Sequence, residues 1–344
     1  MKEAAPLLKS QSLTVGYNPG SKKEKAIAGP IELDMHAGQL ISLLGPNGAG
    51  KSTLLRTLAG LQPALTGQVE MHGKNTAQFK PIERAKKISL VLTGALRPAN
   101  LNVYSLISLG RYPYTGWLGK LSKHDKEVIQ AAIEATGIQQ FLKRKIDQLS
   151  DGEAQKVMIA RALAQDTPLI ILDEPTAHLD LPNRIELMRM LHRLTTEANK
   201  GILISTHDLD LALQVSDEIW ILKAGGEMHK GAPEDMVLNG TFEAAFDRVG
   251  NLFDKATGTF NIHQAYGQNI HLVGEGAAAF WTKRALQRQH FQVNAGEKAD
   301  YNIKVLNEEN KTAWVLEGTN KREEHTSISS LLASLKAKQE TNKI

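Results

Sequence analysis

The chain has 344 residues, of which 42% are hydrophobic and 23% charged, and it contains no cysteine. The apolar fraction excludes global disorder, and the lack of cysteine excludes disulfides, thiolate nucleophiles, thiolate zinc sites and iron–sulfur clusters. A formal net charge of +4 is too small, for a chain of this length, to indicate a nucleic-acid binder.

The first part of the chain has the pattern of strands that lead into a glycine-rich loop. Apolar residues alternate over 12–17 and 29–38, and the continuous apolar run 39–45 is typical of a strand buried on both faces of a parallel sheet. That run ends in GPNGAGKST (45–53), after which apolar residues recur at helical spacing. Residues 66–74 predict another pair of short strands.

The middle of the chain changes from a helical pattern to an alternation of strands and helices. Helical spacing is clearest over 103–112 and 123–138. From residue 153 onward, helices alternate with strands such as PLIILDEP, GILISTH and DEIWILKAGGEM. This alternation predicts an α/β core with a mostly parallel sheet.

The tail from about residue 251 has the pattern of a separate small α/β module, and the boundary is expected near 245–262. Strands are predicted near TGTFNI, NIHLVG, YNIKVLN and TAWVLEG, and helices at AAAFWTKRALQRQ and SISSLLASLKAKQ. The NEEN segment (307–310) indicates a hairpin turn. Trp281 is expected to lie in the core of this module.

Nothing in the sequence indicates a membrane-spanning or secreted chain. No apolar run approaches the roughly 18–20 residues that a membrane helix needs, and the N-terminus lacks a secretory apolar region. We therefore expect a soluble, cytoplasmic protein.

The glycine-rich loop matches the P-loop pattern GxxxxGK[ST]. Backbone N–H groups of such a loop converge on phosphate oxygens, and the following helix presents its positive end to the same anion. The lysine is expected to contact the β- and γ-phosphates, and the serine to bind Mg²⁺ through its hydroxyl. The predicted ATP-binding residues are Gly45, Pro46, Asn47, Gly48, Ala49, Gly50, Lys51, Ser52 and Thr53.

Two adjacent carboxylates end the apolar strand that reads LIILDEP. Neighbouring residues of a strand point to opposite faces, so the two carboxylates can serve different purposes. Asp173 is expected to hold Mg²⁺ through water, and Glu174 to polarise the attacking water. If the P-loop is left out of account, the alternative explanation is that both carboxylates simply lie at the solvated end of a strand and have no role in catalysis.

Three further patterns leave alternatives open. Ser150 and Glu153 form a capping box that starts a helix, and the same helix start can serve as a second anion site. His207 follows a strand and can reach a phosphate, although a structural role is equally compatible with a single histidine. Tyr17, ahead of the P-loop strand, can stack on a purine or simply pack.

In this order the motifs resemble the nucleotide-binding subunit of an ABC transporter, over about residues 8–245. The resemblance implies an α/β fold in which a P-loop ABC ATPase domain (1–250) has a mixed or parallel sheet core and a helical subdomain at about 96–165. A small α/β accessory domain (251–344) follows.

LSDGEAQKVMIARALAQ resembles the family's signature segment, with two departures. Asp151 stands where the commonest form has glycine, and Glu153 where it has glutamine. An acidic group near a γ-phosphate is tolerable if its side chain points away. The resemblance implies that Ser150, Asp151, Gly152 and Glu153 complete the ATP site of a second copy.

Other family motifs also have counterparts here. Residues 177–180, AHLD, resemble the D-loop with Asp180, and His207 matches the switch histidine. The resemblance implies that Lys51, Glu174 and His207 are the catalytic residues. Where the family has a glutamine that reaches Mg²⁺ and the membrane subunit, this chain has Thr93. Its shorter side chain makes direct contact doubtful, and a bridging water or the neighbouring loop could take over the coupling.

The segment GRYPYTGW (110–117) resembles ATPase subunits of importers for iron–siderophore, haem and cobalamin. The resemblance implies a homodimer that hydrolyses ATP with Mg²⁺, on the cytoplasmic face of the bacterial inner membrane. Its expected partners are separate integral-membrane permease subunits and a cargo-binding protein. Among cargoes an iron–siderophore complex is favoured, with haem or cobalamin as the alternatives.

Two competing functions of other kinds receive less support. A soluble ABC-type ATPase that acts on ribosomes or DNA usually carries two cassettes or a coiled-coil insertion, neither of which occurs here, so no nucleic-acid partner is expected. An exporter is disfavoured by the GRYPY segment and by the lack of a fused membrane domain. The tail is expected to be a packed domain, and a regulatory or dimer-stabilising role is a hypothesis.

Overall fold

The structure, a computed structural model, describes residues 5–92, 100–177, 179–246, 253–255, 257–260, 267–294, 299–308, 311–317 and 322–341. The chain divides into two compact units, residues 1–248 and 249–344. Within the described ranges, no helix is both long enough and apolar enough to cross a lipid bilayer.

The first unit is built from short strands and helices that alternate along the chain. Its strands are β1 (Leu8–Tyr17), β2 (Lys25–Met35), β3 (Leu40–Leu44), β4 (Thr66–Met71), β5 (Lys74–Asn75), β6 (Ile88–Val91), β7 (Leu169–Asp173), β8 (Gly201–Ser205), β9 (Glu218–Leu222) and β10 (Met228–Gly231). Its helices are α1 (Lys51–Leu58), α2 (Pro81–Ala85), α3 (Val103–Ser108), α4 (Lys123–Thr136), α5 (Asp151–Ala164), α6 (Leu181–Ala198), α7 (Leu209–Val215), α8 (Pro233–Leu238) and α9 (Thr241–Phe246).

A six-stranded sheet forms the centre of this unit, in the order β10-β9-β3-β8-β7-β6. The five strands β9, β3, β8, β7 and β6 are parallel, and β10 pairs antiparallel at the edge. The strands β3, β7 and β8 are buried at every residue, because helices or a second sheet cover both faces. The predicted α/β core with a mostly parallel sheet is confirmed.

The two faces of this sheet carry two separate apolar cores. Alternate residues of each strand point to opposite faces, so Ile41 and Leu43 join the core that contains α1, while Leu40 joins the other. The α1 core also contains the inner side of the antiparallel sheet β2-β1-β4-β5. The opposite core contains α3, α4, α5 and α6. Consequently the P-loop helix and helix α5 lie on opposite faces of the central sheet.

The second unit is a mixed sheet with two helices on one face. Its elements are the strands β11 (Phe253–Asp254), β12 (Thr259–Phe260), β13 (Asn269–Val273), β14 (Gln292–Asn294), β15 (Tyr301–Glu308), β16 (Lys311–Glu317) and β17 (Arg322–His325), and the helices α10 (Gly276–Arg288) and α11 (Ile328–Thr341). The order β14-β13-β15-β16-β17 is parallel through β15 and antiparallel after it.

The core of the second unit lies between this sheet and its helices. Ile270, Ile303 and Leu316 of the sheet pack against Leu286 of α10 and Leu331 of α11. The strands β15 and β16, which meet at the segment 307–310, pair antiparallel as the hairpin prediction required. Glu309 and Asn310 themselves lie outside the described residues.

One expectation for the tail is wrong, and the short strands β11, β14 and β17 were not predicted. Trp281 is 56% exposed rather than buried, because it lies on the outer face of α10 while Thr282 and Leu286 face the core. The indole that does lie in the core is Trp314, whose Nε1 donates to Thr282 Oγ1 at 2.6 Å. The edge strand β17 was not predicted, because its sequence REEH is polar throughout and shows no alternation.

Candidate nucleotide site

The glycine-rich loop runs from the end of β3 to the start of α1 and is shaped by backbone positions that exclude side chains. Gly45 has φ 149° and lies so close to the Leu222 carbonyl that a Cβ would clash with it. Gly50 has φ 106°, and a Cβ there would clash with the side chain of Ile27. Glycine is therefore required at both positions, and the loop can close tightly around an anion.

Lys51, the first residue of α1, folds its side chain back over the loop. Its Nζ donates to the carbonyl oxygens of Gly45 at 2.8 Å and Pro46 at 3.2 Å. Burial lowers the pKa of Lys51, while the carboxylates of Glu174 and Asp173 act in the opposite direction. The ammonium thus lies in a largely desolvated position near both carboxylates, which is where a phosphate anion can replace the backbone carbonyls.

A serine of the neighbouring strand holds the Asp173 carboxylate and the backbone of Glu174 at the end of β7. In the parallel register Asp173 lies opposite Ser205, whose Oγ donates to Asp173 Oδ1 at 2.6 Å. The same Oγ accepts the backbone N–H of Glu174 at 2.9 Å. Sequence reasoning missed Ser205, because its partners become visible only when the strand register is known.

Glu174 and His207 meet at the ends of β7 and β8. The distance between His207 Nε2 and Glu174 Oε1 is 2.9 Å, and both side chains are partly exposed. Glu174 has φ 51°, in the left-handed region that few non-glycine residues adopt. Strained residues of this kind concentrate at functional sites, since the surrounding structure has to hold them in place.

These contacts bring four of the predicted residues to one edge of the sheet. The P-loop follows β3, Asp173 and Glu174 end β7, and His207 follows β8, and the order β3-β8-β7 makes these strands neighbours. Ligands of open α/β sheets bind outside the carboxyl ends of the parallel strands, which is this edge. A buried cation, two carboxylates and an imidazole suit a phosphate chain and the activation of a water.

The residues at this edge fit a magnesium ion that is shared with a nucleotide. Asp173 is nearly buried and offers carboxylate oxygen, and Ser52 offers a hydroxyl in the first turn of α1, which packs near β7. Mg²⁺ prefers one or two such oxygen ligands together with waters and substrate phosphates. Across the described residues, no group of three or more His, Asp or Glu side chains is arranged to hold a metal alone.

Tyr17 ends β1 and lies beside the P-loop helix. Its hydroxyl is 3.0 Å from Thr53 Oγ1, and 49% of the residue is exposed. The hydroxyl is thus anchored to α1, while much of the ring remains available at the surface. This arrangement fits the predicted contact with a purine better than the alternative of core packing.

Replacing Tyr17 with Ala is expected to weaken ATP binding about tenfold, since stacking of a base on an aromatic ring is worth roughly 1–3 kcal/mol. Tyr17→Phe is the matched control, because it keeps the ring and loses only the hydroxyl contact with Thr53. Isothermal titration with ATP measures both. If the Phe variant binds as weakly as the Ala variant, the ring is not the binding element.

The segment 150–153 begins helix α5 and forms the predicted capping box. Ser150 Oγ accepts the Glu153 N–H at 3.3 Å, and Glu153 Oε2 accepts the Ser150 N–H at 2.8 Å. The carboxylate of Glu153 also lies 3.6 Å from Arg144 Nη1. Glu153 is thus engaged with its own helix start and with a cation. Since α5 and α1 lie on opposite faces of the sheet, the structure does not bring Ser150 to the P-loop of its own chain.

The remaining predicted residues lie at the starts of helices or outside the described residues. Asp180 caps α6, with its Oδ1 accepting the N–H of Asn183 at 3.1 Å. Asp151 and Gly152 lie in the first turn of α5, with Asp151 exposed. Thr93, and His178 of the D-loop-like segment, lie outside the described residues.

Comparison with known proteins identifies two matching families along the chain. Residues 28–177 match a family described as ABC transporter, and residues 267–336 match the iron ABC transporter C-terminal domain. An uncharacterized ABC transporter ATP-binding protein of Methanocaldococcus jannaschii is 33% identical over 85% of this chain and 100% of its own length.

Relatives of similar identity include ATP-binding proteins of transport and import systems. A probable siderophore transport system ATP-binding protein of Bacillus subtilis is 34% identical, over 67% of this chain and 82% of its own length. A cobalamin import ATP-binding protein of Halobacterium salinarum is also 34% identical, over 76% of this chain and 69% of its own length.

Among solved structures, a dimeric post-hydrolysis state of an ATP-binding cassette bound to ADP and Pi matches with TM-score 0.59 and 27% identity. That match covers 66% of this chain and 98% of the cassette.

Proposed function

This chain belongs to the ABC transporter family as an ATP-hydrolysing importer subunit, and we propose that it drives uptake of an iron–siderophore complex through separate membrane permeases. The observation that carries the proposed chemistry is the convergence of Lys51, Asp173, Glu174 and His207 at one edge of the parallel sheet. Each residue has a distinct part in turnover.

In this proposal the P-loop and Lys51 hold the phosphates of ATP, and the ammonium exchanges its carbonyl contacts for phosphate oxygens. Asp173 and Ser52 hold Mg²⁺, which supplies positive charge against the phosphate oxygens. Glu174 orients and deprotonates the attacking water, and His207 contacts the γ-phosphate from beside Glu174. Ser205 keeps Asp173 and the Glu174 backbone in place.

We further propose that two copies share each ATP. The P-loop of one copy binds the nucleotide, and Ser150 and Gly152 of the second copy close over the γ-phosphate at the start of α5. The placement of α1 and α5 on opposite faces of one sheet supports this arrangement, because a single copy cannot present both to one nucleotide. Hydrolysis removes the shared anion, so the two copies separate.

The cargo proposal rests on the second unit and on the segment after α3. The family that matches residues 267–336 is an iron ABC transporter domain, and a siderophore transport protein is among the relatives. Tyr112, Trp117 and Leu118 form an exposed apolar surface near α3. Such a surface supports contact with the apolar ends of permease subunits. In this proposal the chain works at the cytoplasmic face of the membrane, and a cargo-binding protein works on the other side.

Cargo uptake by cells that lack this gene tests the proposal. Complementation with wild type, but not with Lys51→Ala, is expected to restore uptake of a ferric siderophore, because Lys51 is required for phosphate contact. Ferric siderophore, haem and cobalamin are supplied one at a time, with radiolabelled iron or cobalt as the measured quantity. Rescue of haem or cobalamin alone would replace the cargo assignment, and no rescue with any cargo would contradict the importer proposal.

A further inference from the structure

The exposed apolar surface belongs to a short loop, residues 112–118, called here the aromatic loop. Trp117 and Leu118 are almost fully exposed, and Tyr112 is largely exposed. The loop turns through hydrogen bonds from the Tyr114 N–H to Arg111 O at 2.9 Å and from the Gly119 N–H to Gly116 O at 2.9 Å. These local bonds shape the loop. Tyr114 also reaches the rest of the unit, since its hydroxyl lies 3.5 Å from the carbonyl oxygen of Asp166 and Lys86 Nζ lies 5.2 Å from its ring centroid, and a buried contact at the base of the loop provides a further attachment.

Arg111, at the base of the loop, makes that attachment. It is 2% exposed, and its Nε donates to Asp125 Oδ1 at 2.8 Å in the first turn of α4. Its Nη1 donates to the carbonyl of Ala164, the last residue of α5, at 3.0 Å. The ring of Tyr114 lies over the guanidinium at 4.0 Å. One buried side chain therefore joins the loop, α4 and α5.

Asp125 is equally constrained. Ser122 donates to Asp125 Oδ2 from its Oγ at 2.6 Å and from its N–H at 2.9 Å. These bonds and the contact with Arg111 lower the pKa of Asp125 to about 2, against the opposing effect of its burial. The ion pair is thus charged at neutral pH and satisfied on both sides.

Gly110 fixes the same junction by close backbone approach. A Cβ on Gly110 would clash with the carbonyl of Arg161 and lie 3.1 Å from the Ala164 Cβ. The loop base therefore packs directly on the last turn of α5. Gly110 and Arg111 lie next to each other in the chain and contact the same helix end through independent interactions.

Helix α5 connects this junction to the proposed shared nucleotide. It has 14 residues, Asp151–Ala164, and starts at the capping box of Ser150 and Glu153. At about 1.5 Å per residue its two ends are about 21 Å apart. A packed helix of this length moves as one body, so a displacement at its first turn is transmitted to the turn that holds Gly110 and Arg111.

From these contacts we propose that Arg111 is a positioning residue that couples the aromatic loop to the nucleotide-dependent movement of α5. This proposal rests on the proposed function, since it requires ATP to close two copies over the start of α5. When α5 moves, the ion pair with Asp125 and the bond to Ala164 carry the loop with it. Without Arg111, ATP still closes the dimer, but only the backbone contact of Gly110 then joins the loop base to α5, so the loop follows the helix less closely.

The variant has to remove the link without unfolding the unit. Removing one partner of a buried ion pair leaves an uncompensated charge and is strongly destabilising, whereas replacing both by apolar residues is often tolerated. We therefore choose Arg111→Leu with Asp125→Leu. The matched control is Lys156→Leu with Glu186→Leu, which removes the 2.8 Å ion pair between α5 and α6 and leaves the loop junction intact.

Because the chain contains no cysteine, one introduced cysteine carries a unique spin label. Leu118→Cys reports the aromatic loop, and Arg193→Cys, on α6 beside the central sheet, reports closure of the dimer. Each label is introduced separately, into a chain that also carries Glu174→Gln, so that the dimer holds ATP without hydrolysing it. Distances between the two copies are measured by double electron–electron resonance with and without Mg²⁺ and ATP, and ATPase rates are measured in unlabelled chains that retain Glu174.

With Arg111 and Asp125 intact, ATP is expected to shift both label distances. In Arg111→Leu with Asp125→Leu, the Arg193→Cys shift and the basal ATPase rate are retained. The Leu118→Cys distance still changes with dimer closure, but its ATP-dependent shift differs from that of the parent chain and its distance distribution is broader. In the Lys156 control both shifts match those of the parent chain. A Leu118→Cys shift and distribution in the Arg111 variant that match the parent chain overturn the inference. If neither label responds to ATP in the parent chain, the shared-nucleotide proposal fails, and the inference fails with it.

Discussion

Replacing Glu174 with Gln is expected to slow ATP hydrolysis by about 100- to 10,000-fold while ATP remains bound, since that is the range contributed by a positioned general base. The amide has nearly the same shape as the carboxylate and can keep a hydrogen bond to His207, but it cannot accept a proton from water. The phosphate contacts of the P-loop and Lys51 do not involve this side chain and are expected to persist.

Two measurements separate binding from turnover in this variant. Titration with ATP gives the affinity, and release of inorganic phosphate gives the rate. Glu186→Gln, at an exposed glutamate of α6 whose carboxylate pairs with Lys156, is the matched control and is expected to hydrolyse ATP at the wild-type rate. Wild-type turnover in Glu174→Gln would show that another group activates the water.

Mixing two inactive variants is expected to restore ATP hydrolysis. Lys51→Ala removes the phosphate contact of the P-loop, and Gly152→Asp places a carboxylate in the first turn of α5, so each variant alone is expected to retain less than about 1% of the wild-type rate. In a mixed dimer one nucleotide site has both defects and the other has neither. Random pairing makes about half of the dimers mixed, which predicts about a quarter of the wild-type rate.

The control for this experiment uses the same two substitutions but places Lys51→Ala in both chains, so no dimer contains a complete site. Lys51→Ala is mixed with a chain that carries Lys51→Ala and Gly152→Asp together, and no recovery is expected. ATP-dependent dimer formation is followed by size-exclusion chromatography in the same mixtures. If the first mixture stays as inactive as the control and forms no ATP-dependent dimer, the two parts of the site do not come from different copies.

Features formed by residues that are close together in the chain could be predicted from the sequence. The glycines of the P-loop, Lys51 and the start of α1 are consecutive, and their spacing alone defines a loop that binds phosphate. The capping box of Ser150 and Glu153 depends on a spacing of three residues and was formed as predicted. The largely apolar runs of β3 and β7 indicated a buried parallel sheet, because strands covered on both faces contain few polar residues.

Other features depend on contacts between distant parts of the chain. Ser205 binds Asp173 and Glu174 only because β7 and β8 pair in one register, and a shift by one residue would turn its side chain to the other face. Trp281 was expected in the core and is exposed, because helical spacing alone did not identify which side of α10 meets the sheet.

The sequence by itself determined that this protein has a P-loop motif, is built on a mostly parallel sheet and resembles an importer ATPase. These properties follow from residue types at short, fixed spacings. Tertiary structure alone decided that α1 and α5 lie on opposite faces of that sheet, that Ser205 joins the Asp173 carboxylate to the backbone N–H of Glu174, and that Arg111 attaches the aromatic loop to α5. The partners of Ser205 and Arg111 are up to 53 residues away in the chain, and chain spacing carries no information about contacts that packing creates.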